Sequence, residues 1–274
     1  YFRGSPALRP FRAVLFATAL LSTVAIAEVP KPAALTVDQV PAVPDELAAK
    51  TRPYMEYRTA GFGGWNAADR SMLISTRFAN VSQLHSVASP MGMRRQISFE
   101  AEPVGGAWSP KGDVLVVSKD QGGDEFFQLY TLASGQLTLL TDGKSRNEFG
   151  SWDKEGRLVG YSSTRRNRTD SDLYRVDPKD PKSDRIVAQV KGGGWGITSF
   201  APGGAQAAVL EYKSITKSNP YLLDVASGKL TPLGDHGKAI AYGALEFAPD
   251  GTLWATSDEN SDVQRLGRLD PRTG

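Results

Sequence analysis

An aromatic residue returns about every 45 residues along this chain, at Trp65, Trp108, Trp152, Phe200 and Phe247. A tight turn follows each of the last four: Ser109-Pro110-Lys111-Gly112, Asp153-Lys154-Glu155-Gly156, Ala201-Pro202-Gly203-Gly204 and Ala248-Pro249-Asp250-Gly251. Short apolar runs come next, at 71–76, 113–118, 157–162, 206–211 and 252–257. Runs of this length after a Gly- or Asp-bearing turn read as hairpin strands. A self-similar period in this range, built on short strands, means stacked β units and most often the blades of a propeller. One such unit cannot bury its two apolar faces alone, so the copies must stack.

A third strand follows in each copy, at 83–87, 128–132, 172–177, 220–224 and 265–270, and Asp177, Asp224 and Asp270 hold its register. A Ser-Gly turn then leads to a fourth strand, as at 134–140 and 227–233. The expected fold is therefore all-β, a propeller of four-stranded antiparallel blades. Four complete blades are expected over 59–103, 104–147, 148–192 and 193–240, and a partial fifth over 241–274. On this reading the ring is truncated, which would leave inter-blade faces open and the isolated chain marginally stable or aggregation-prone.

The residues before the blades carry other signals. Arg3, Arg9 and Arg12 precede an uncharged, mostly apolar run over 13–25, and Ala25-Ile26-Ala27 is a small-x-small site. This is the layout of a secretory signal peptide over 1–27, and it implies a periplasmic or secreted protein. The run falls short of the ~20 residues needed to cross a bilayer, so no membrane span is expected after cleavage. Residues 28–58 read as a proline-rich linker and a short helix over 44–50, with Pro44 at its start, acids in its first turn and Pro53 as its stop. The start at Tyr1 and the stop in mid-blade read as cuts in a longer gene product.

Composition removes several function classes. The 274 residues are 40% hydrophobic and 23% charged, with a formal net charge of +2 and no cysteine. Disulfides, thiolate metal sites and a cysteine nucleophile are excluded. No basic stripe interleaved with aromatics suggests nucleic acid. The two histidines, His85 and His236, lie far apart with no third ligand at useful spacing, so no metal and no cofactor are expected. His85 reads as a packed or rim histidine in the column of Tyr130 and Tyr174, and His236 as a solvated loop residue.

SKDQGGDEFFQLY over 118–130, LLTDGKSRN over 139–147 and YSSTRRN over 161–167 resemble the propeller of the prolyl oligopeptidase family, and of its bacterial dipeptidyl-peptidase-like members in particular. SPMGMRRQIS over 89–98 is similar to a first blade of such proteins. The resemblance runs from about Pro44 to the end. It implies a secreted serine peptidase whose propeller caps a C-terminal α/β-hydrolase domain and admits short peptides. That domain carries its nucleophile in a G-x-S-x-G elbow, followed by Asp and His. This chain has no G-x-S-x-G, so no catalytic residue is assigned to it, and it reads as the non-catalytic, substrate-gating half.

Four residues are candidates for substrate binding. Asp124 and Glu125, beside Asp120 in a Gly-rich hairpin, could hold a peptide ammonium; some dipeptidyl peptidases of the family do so with paired glutamates, which this hairpin lacks. The same acids could instead cap and order the loop. Arg165 and Arg166, in the matching hairpin of the next blade, could hold a carboxylate or carbonyl, or form a solvated charged turn with Arg168. The alternative to a peptidase propeller is a stand-alone periplasmic propeller that binds protein partners, as in the Tol system. A propeller enzyme with its own channel site is a further rival, but the inner strands offer mainly Val, Leu, Ala and Ser.

Overall fold

A computed structural model describes residues 27–274, so the leader read over 1–27 lies outside the described residues except for Ala27. The chain divides into two compact units, which meet in sequence between Tyr57 and Arg58. In the first, a bridge between Glu28 and Pro44 closes residues 28–44 into a loop, and Val29 N–H donates to Val43 O at 2.9 Å. Helix α1 (Asp45–Met55) follows, with Pro44 as N-cap and Asp45 and Glu46 in its first turn. It continues past Pro53, the expected stop. In the last turn that proline removes a single backbone donor, and Glu56 N–H still closes onto Arg52 O at 2.9 Å. None of the helix residues is buried. No helix among the described residues is long and apolar enough to cross a membrane.

The second unit is five antiparallel sheets, the blades of a β-propeller. Blade 1 holds β1 (Ala60–Trp65), β2 (Met72–Thr76), β3 (Gln83–Val87) and β4 (Arg94–Gln96). Blade 2 holds β5 (Gly105–Trp108), β6 (Leu115–Lys119), β7 (Gln128–Ala133) and β8 (Gln136–Leu139). Blade 3 holds β9 (Asn147–Trp152), β10 (Val159–Ser163), β11 (Asp172–Asp177) and β12 (Asp180–Ala188). Blade 4 holds β13 (Trp195–Phe200), β14 (Gln206–Ser214), β15 (Lys217–Asp224) and β16 (Leu230–Pro232). Blade 5 has three strands, β17 (Tyr242–Phe247), β18 (Leu253–Ser257) and β19 (Arg265–Leu269). Each sheet is a meander in chain order, and the first strands of blades 1 and 2, 3 and 4, and 4 and 5 pack on one another, which makes the first strands the inner wall. The repeating aromatic is the last residue of that inner strand, so each blade begins some five residues before it.

The cores lie between blades. Trp152, Val159, Tyr161 and Val176 of blade 3 pack on Val116, Leu129 and Ala107 of blade 2. Phe200, Ile197 and Val209 of blade 4 pack on Leu173 and Ala188 of blade 3. Phe247 and Leu253 of blade 5 pack on Ala208 and Leu233 of blade 4. The aromatic therefore points back into the preceding blade each time, and burial of a side chain that large is worth a few kcal/mol. Gly150 in β9 shows how tight the inner wall is, since a Cβ there would sit 2.4 Å from Ile197 O. Among the described residues, packing runs from blade 1 to blade 5 in order, and none of comparable extent joins blade 5 to blade 1.

Polar ties fasten the rim. Lys179 in the β11–β12 turn donates to Asp113 of blade 2 at 2.6 Å, and Ser109 donates to the other carboxylate oxygen at 2.6 Å. The Lys179 hydrogen bond, then that of Ser109, hold the Asp113 carboxyl down at about 2.

Candidate functional site

A meander with its first strand innermost sends the second-to-third turns and the crossovers to the next blade to one end. All four candidate residues lie there. The β6–β7 hairpin, residues 120–127, needs left-handed backbone at Gly122 and Gly123, with φ of 66° and 74°, and at Glu125, with φ of 61°. Asp120 is buried and accepts from Glu125 N–H at 3.0 Å, and Asp124 accepts from Phe126 N–H at 2.8 Å. Glu102 accepts from Gly122 N–H at 3.0 Å. The hairpin is thus ordered by carboxylates, while the Asp124 and Glu125 side chains remain exposed. Glu125 sits 3.9 Å from Arg146 of the β8–β9 crossover. Beside the hairpin is a polar hollow of about 300 Å³, lined among others by Lys119, Asp124, Phe126, Tyr130 and Lys144.

In the β10–β11 hairpin both arginines are engaged. Arg165 donates to Asp184 of β12 at 2.6 Å and to the Tyr161 hydroxyl at 2.7 Å, and lies 4.6 Å from the centre of the Tyr174 ring. Tyr161 donates in turn to Asp184 at 2.5 Å. Burial, with Asp184 beside it, pushes the Tyr161 phenol well above its ordinary range, so it remains a donor. Burial opposes the charge on Arg165, but Asp184, Tyr161 and Asp142 outweigh it and raise its pKa. Arg166 binds both oxygens of Asp172, at 2.6 and 3.0 Å, as well as Asp170 at 2.8 Å and Val190 O at 3.0 Å. These guanidinium groups tie the hairpin to its own blade, and Arg165 also to Asp142 of the β8–β9 crossover at 3.7 Å.

A feature that the sequence reading passed over recurs at this end. At or beside the start of each third strand a polar residue clasps a crossover: in blades 1 to 4 the one leaving the blade, in blade 5 the one entering it. Gln83 donates to Glu100 O and Glu102 O, and accepts from Glu100 N–H and the Ser98 hydroxyl. Gln128 donates to Phe126 O and Ser145 O, and accepts from Thr141, Gly143 N–H and Asn147. Asp172 accepts from Val190 N–H at 2.9 Å, Ser218 exchanges bonds with the Tyr242 backbone, and Gln264 donates to Ala241 O. In blades 1 to 3 the signal was present in the sequence as a polar residue at the head of the third apolar run, Gln83, Gln128 and Asp172; Ser218 and Gln264 lie just before the runs read at 220–224 and 265–270.

His85 is 1% exposed, with Nδ1 3.0 Å from Gln83 O and its ring against Phe78. His236 is not simply solvated: Nε2 lies 3.0 Å from Pro220 O and 2.9 Å from Leu233 O, and the ring meets Tyr221 edge-on. Among the described residues no group of three or more His, Asp or Glu could hold a metal ion.

No family model matches this chain, and no curated protein matches it by sequence. Solved structures do resemble it. A prolyl endopeptidase, from a study of inter-domain dynamics in catalysis and specificity, aligns at 14% identity with a TM-score of 0.66 over 84% of this chain and 37% of its own. An oligogalacturonate lyase in complex with manganese aligns at 14% identity and TM-score 0.61, over 78% of this chain and 64% of its own. A TolB-type protein from Agrobacterium tumefaciens aligns at 17% identity and TM-score 0.56, over 80% of this chain and 79% of its own. The chain therefore spans little more than a third of the prolyl endopeptidase it resembles. At these identities the likeness shows the β-propeller fold that a peptidase, a lyase and a TolB-type protein share.

Proposed function

We propose that this propeller is the non-catalytic, substrate-gating part of a secreted or periplasmic serine exopeptidase or oligopeptidase, acting with an α/β-hydrolase domain on short peptides. One observation carries the reading. The segments that resemble the prolyl oligopeptidase family, 118–130, 139–147 and 161–167, converge at one end of blades 2 and 3, where Thr164 N–H donates to Arg146 O at 3.0 Å. Asp124 and Glu125 are the groups that end offers to a peptide, while Arg165 and Arg166 shape the surface around them. The bond-making steps belong to the hydrolase domain, where an oxyanion hole stabilises the tetrahedral intermediate of acyl transfer.

A second reading is a partner-binding propeller, supported by the likeness to the TolB-type structure, at TM-score 0.56 and 17% identity. Sequencing the coding DNA downstream of Gly274 separates the two. Further blades followed by a strand, a G-x-S-x-G turn and a helix are expected. A stop codon within two blades would overturn the peptidase reading and leave the binding module.

A further inference from the structure

The five inner strands carry two charged residues, Glu148 in β9 and Glu246 in β17. Glu246 is bound by Lys154. Glu148 is exposed and, among the described residues, its side chain has no hydrogen-bond or ion-pair partner. It borders a groove of about 540 Å³ in the inner wall between β9 and β13.

Gly196 of β13 is among the residues that line the groove. Gly196 has no side chain, and a Cβ built there would meet no atom within 4 Å. Phe149, Trp195, Leu210 and Tyr212 are also among the residues that line it; the Phe149 and Trp195 rings are themselves packed in the inter-blade cores, and Tyr212 is the exposed ring. Tyr212 is 57% exposed, and its N–H is held by Gly194 O at 2.7 Å. An aromatic and aliphatic trough bordered by one uncompensated carboxylate complements a long apolar stem that ends in a cation. An ammonium or guanidinium group would meet Glu148, and the exposed Tyr212 ring would add cation–π attraction.

We infer that this groove binds a basic side chain, lysine or arginine, of a peptide passing along the inner wall. The inference deepens the peptide-handling reading and rests on it for the peptide; the choice of a basic residue rests on Glu148 and the trough.

Isothermal titration of the full chain tests it with four peptides: acetyl-Ala-Lys-Ala-amide, acetyl-Ala-Arg-Ala-amide, acetyl-Ala-norleucine-Ala-amide, and Ala-norleucine-Ala-amide with a free amino terminus. Binding of the Lys or Arg peptide and not of the norleucine pair is expected, and whichever binds identifies the head group. Glu148→Gln is expected to weaken that binding at least about fivefold. Gly196→Val, which adds bulk to the lining at a position where a Cβ meets no atom within 4 Å, is expected to abolish it with an unchanged melting temperature. Preference for the free amino terminus, or basic-peptide affinity unmoved by Glu148→Gln, would overturn the inference. Equal binding of all four would overturn the charge selection and leave peptide handling standing. Binding of none would also overturn it, while the peptidase reading would still be decided by the downstream hydrolase sequence.

Discussion

Phe200 and Trp65 occupy the same place in their blades, at the end of the inner strand, yet Phe200 is 0% exposed and Trp65 63%. Phe200 enters blade 3, and no blade among the described residues lies in front of Trp65. The opposite faces repeat the contrast. Leu84, Leu129 and Leu173 stand opposite the second strand in one column and are 0–1% exposed, while Leu266 in the same column of blade 5 is 67% exposed. Burial in this fold is conferred by the neighbouring blade, and the residue type alone does not reveal it. The two end blades carry the same apolar half-interfaces as the inner ones, turned to solvent.

Substitutions at equivalent positions sharpen that comparison. Phe200→Ala is expected to have the largest effect, about 3–5 kcal/mol lost in urea unfolding, because a full ring leaves a packed core. A loss below about 1 kcal/mol would mean that the inter-blade cores do not carry the stability. Gln128→Ala, which unties the crossover after blade 2, is expected to cost about 1–3 kcal/mol. Its amide hydrogen exchange should quicken first at 140–147; a uniform change across the blades would show that the clasp has no local role. Trp65→Ala is expected to shift stability by no more than about 0.5 kcal/mol. A cost near that of Phe200→Ala would show that Trp65 is covered in solution.

The blade repeat was legible because it rests on patterns that each copy must keep: the aromatic, the turn after it, and two apolar strands. Other features were not. β14 runs on to Ser214 and β15 starts at Lys217, beyond the expected 206–211 and 220–224, because Tyr212-Lys213-Ser214 shows no apolar alternation; the extension is held by backbone pairing such as Tyr212 with Ser218. The arginines of 165–168 looked alike in sequence. Their partners decide what they do, and Asp184 lies on a strand that no local pattern connects to Arg165. Glu148 went unnoticed because one acid in an inner strand has no motif; it stands out only when Lys154 is seen to pair with the other.

The polar residue at or beside the start of each third strand has a consequence for how such a protein can vary. Gln83, Gln128, Ser218 and Gln264 grip peptide groups of the crossovers, and most of those bonds are indifferent to which side chains the crossovers carry. The segment between grips can exchange its chemistry while its path stays anchored. A lineage of such chains can therefore diversify what one end recognises while the blades beneath it remain unaltered.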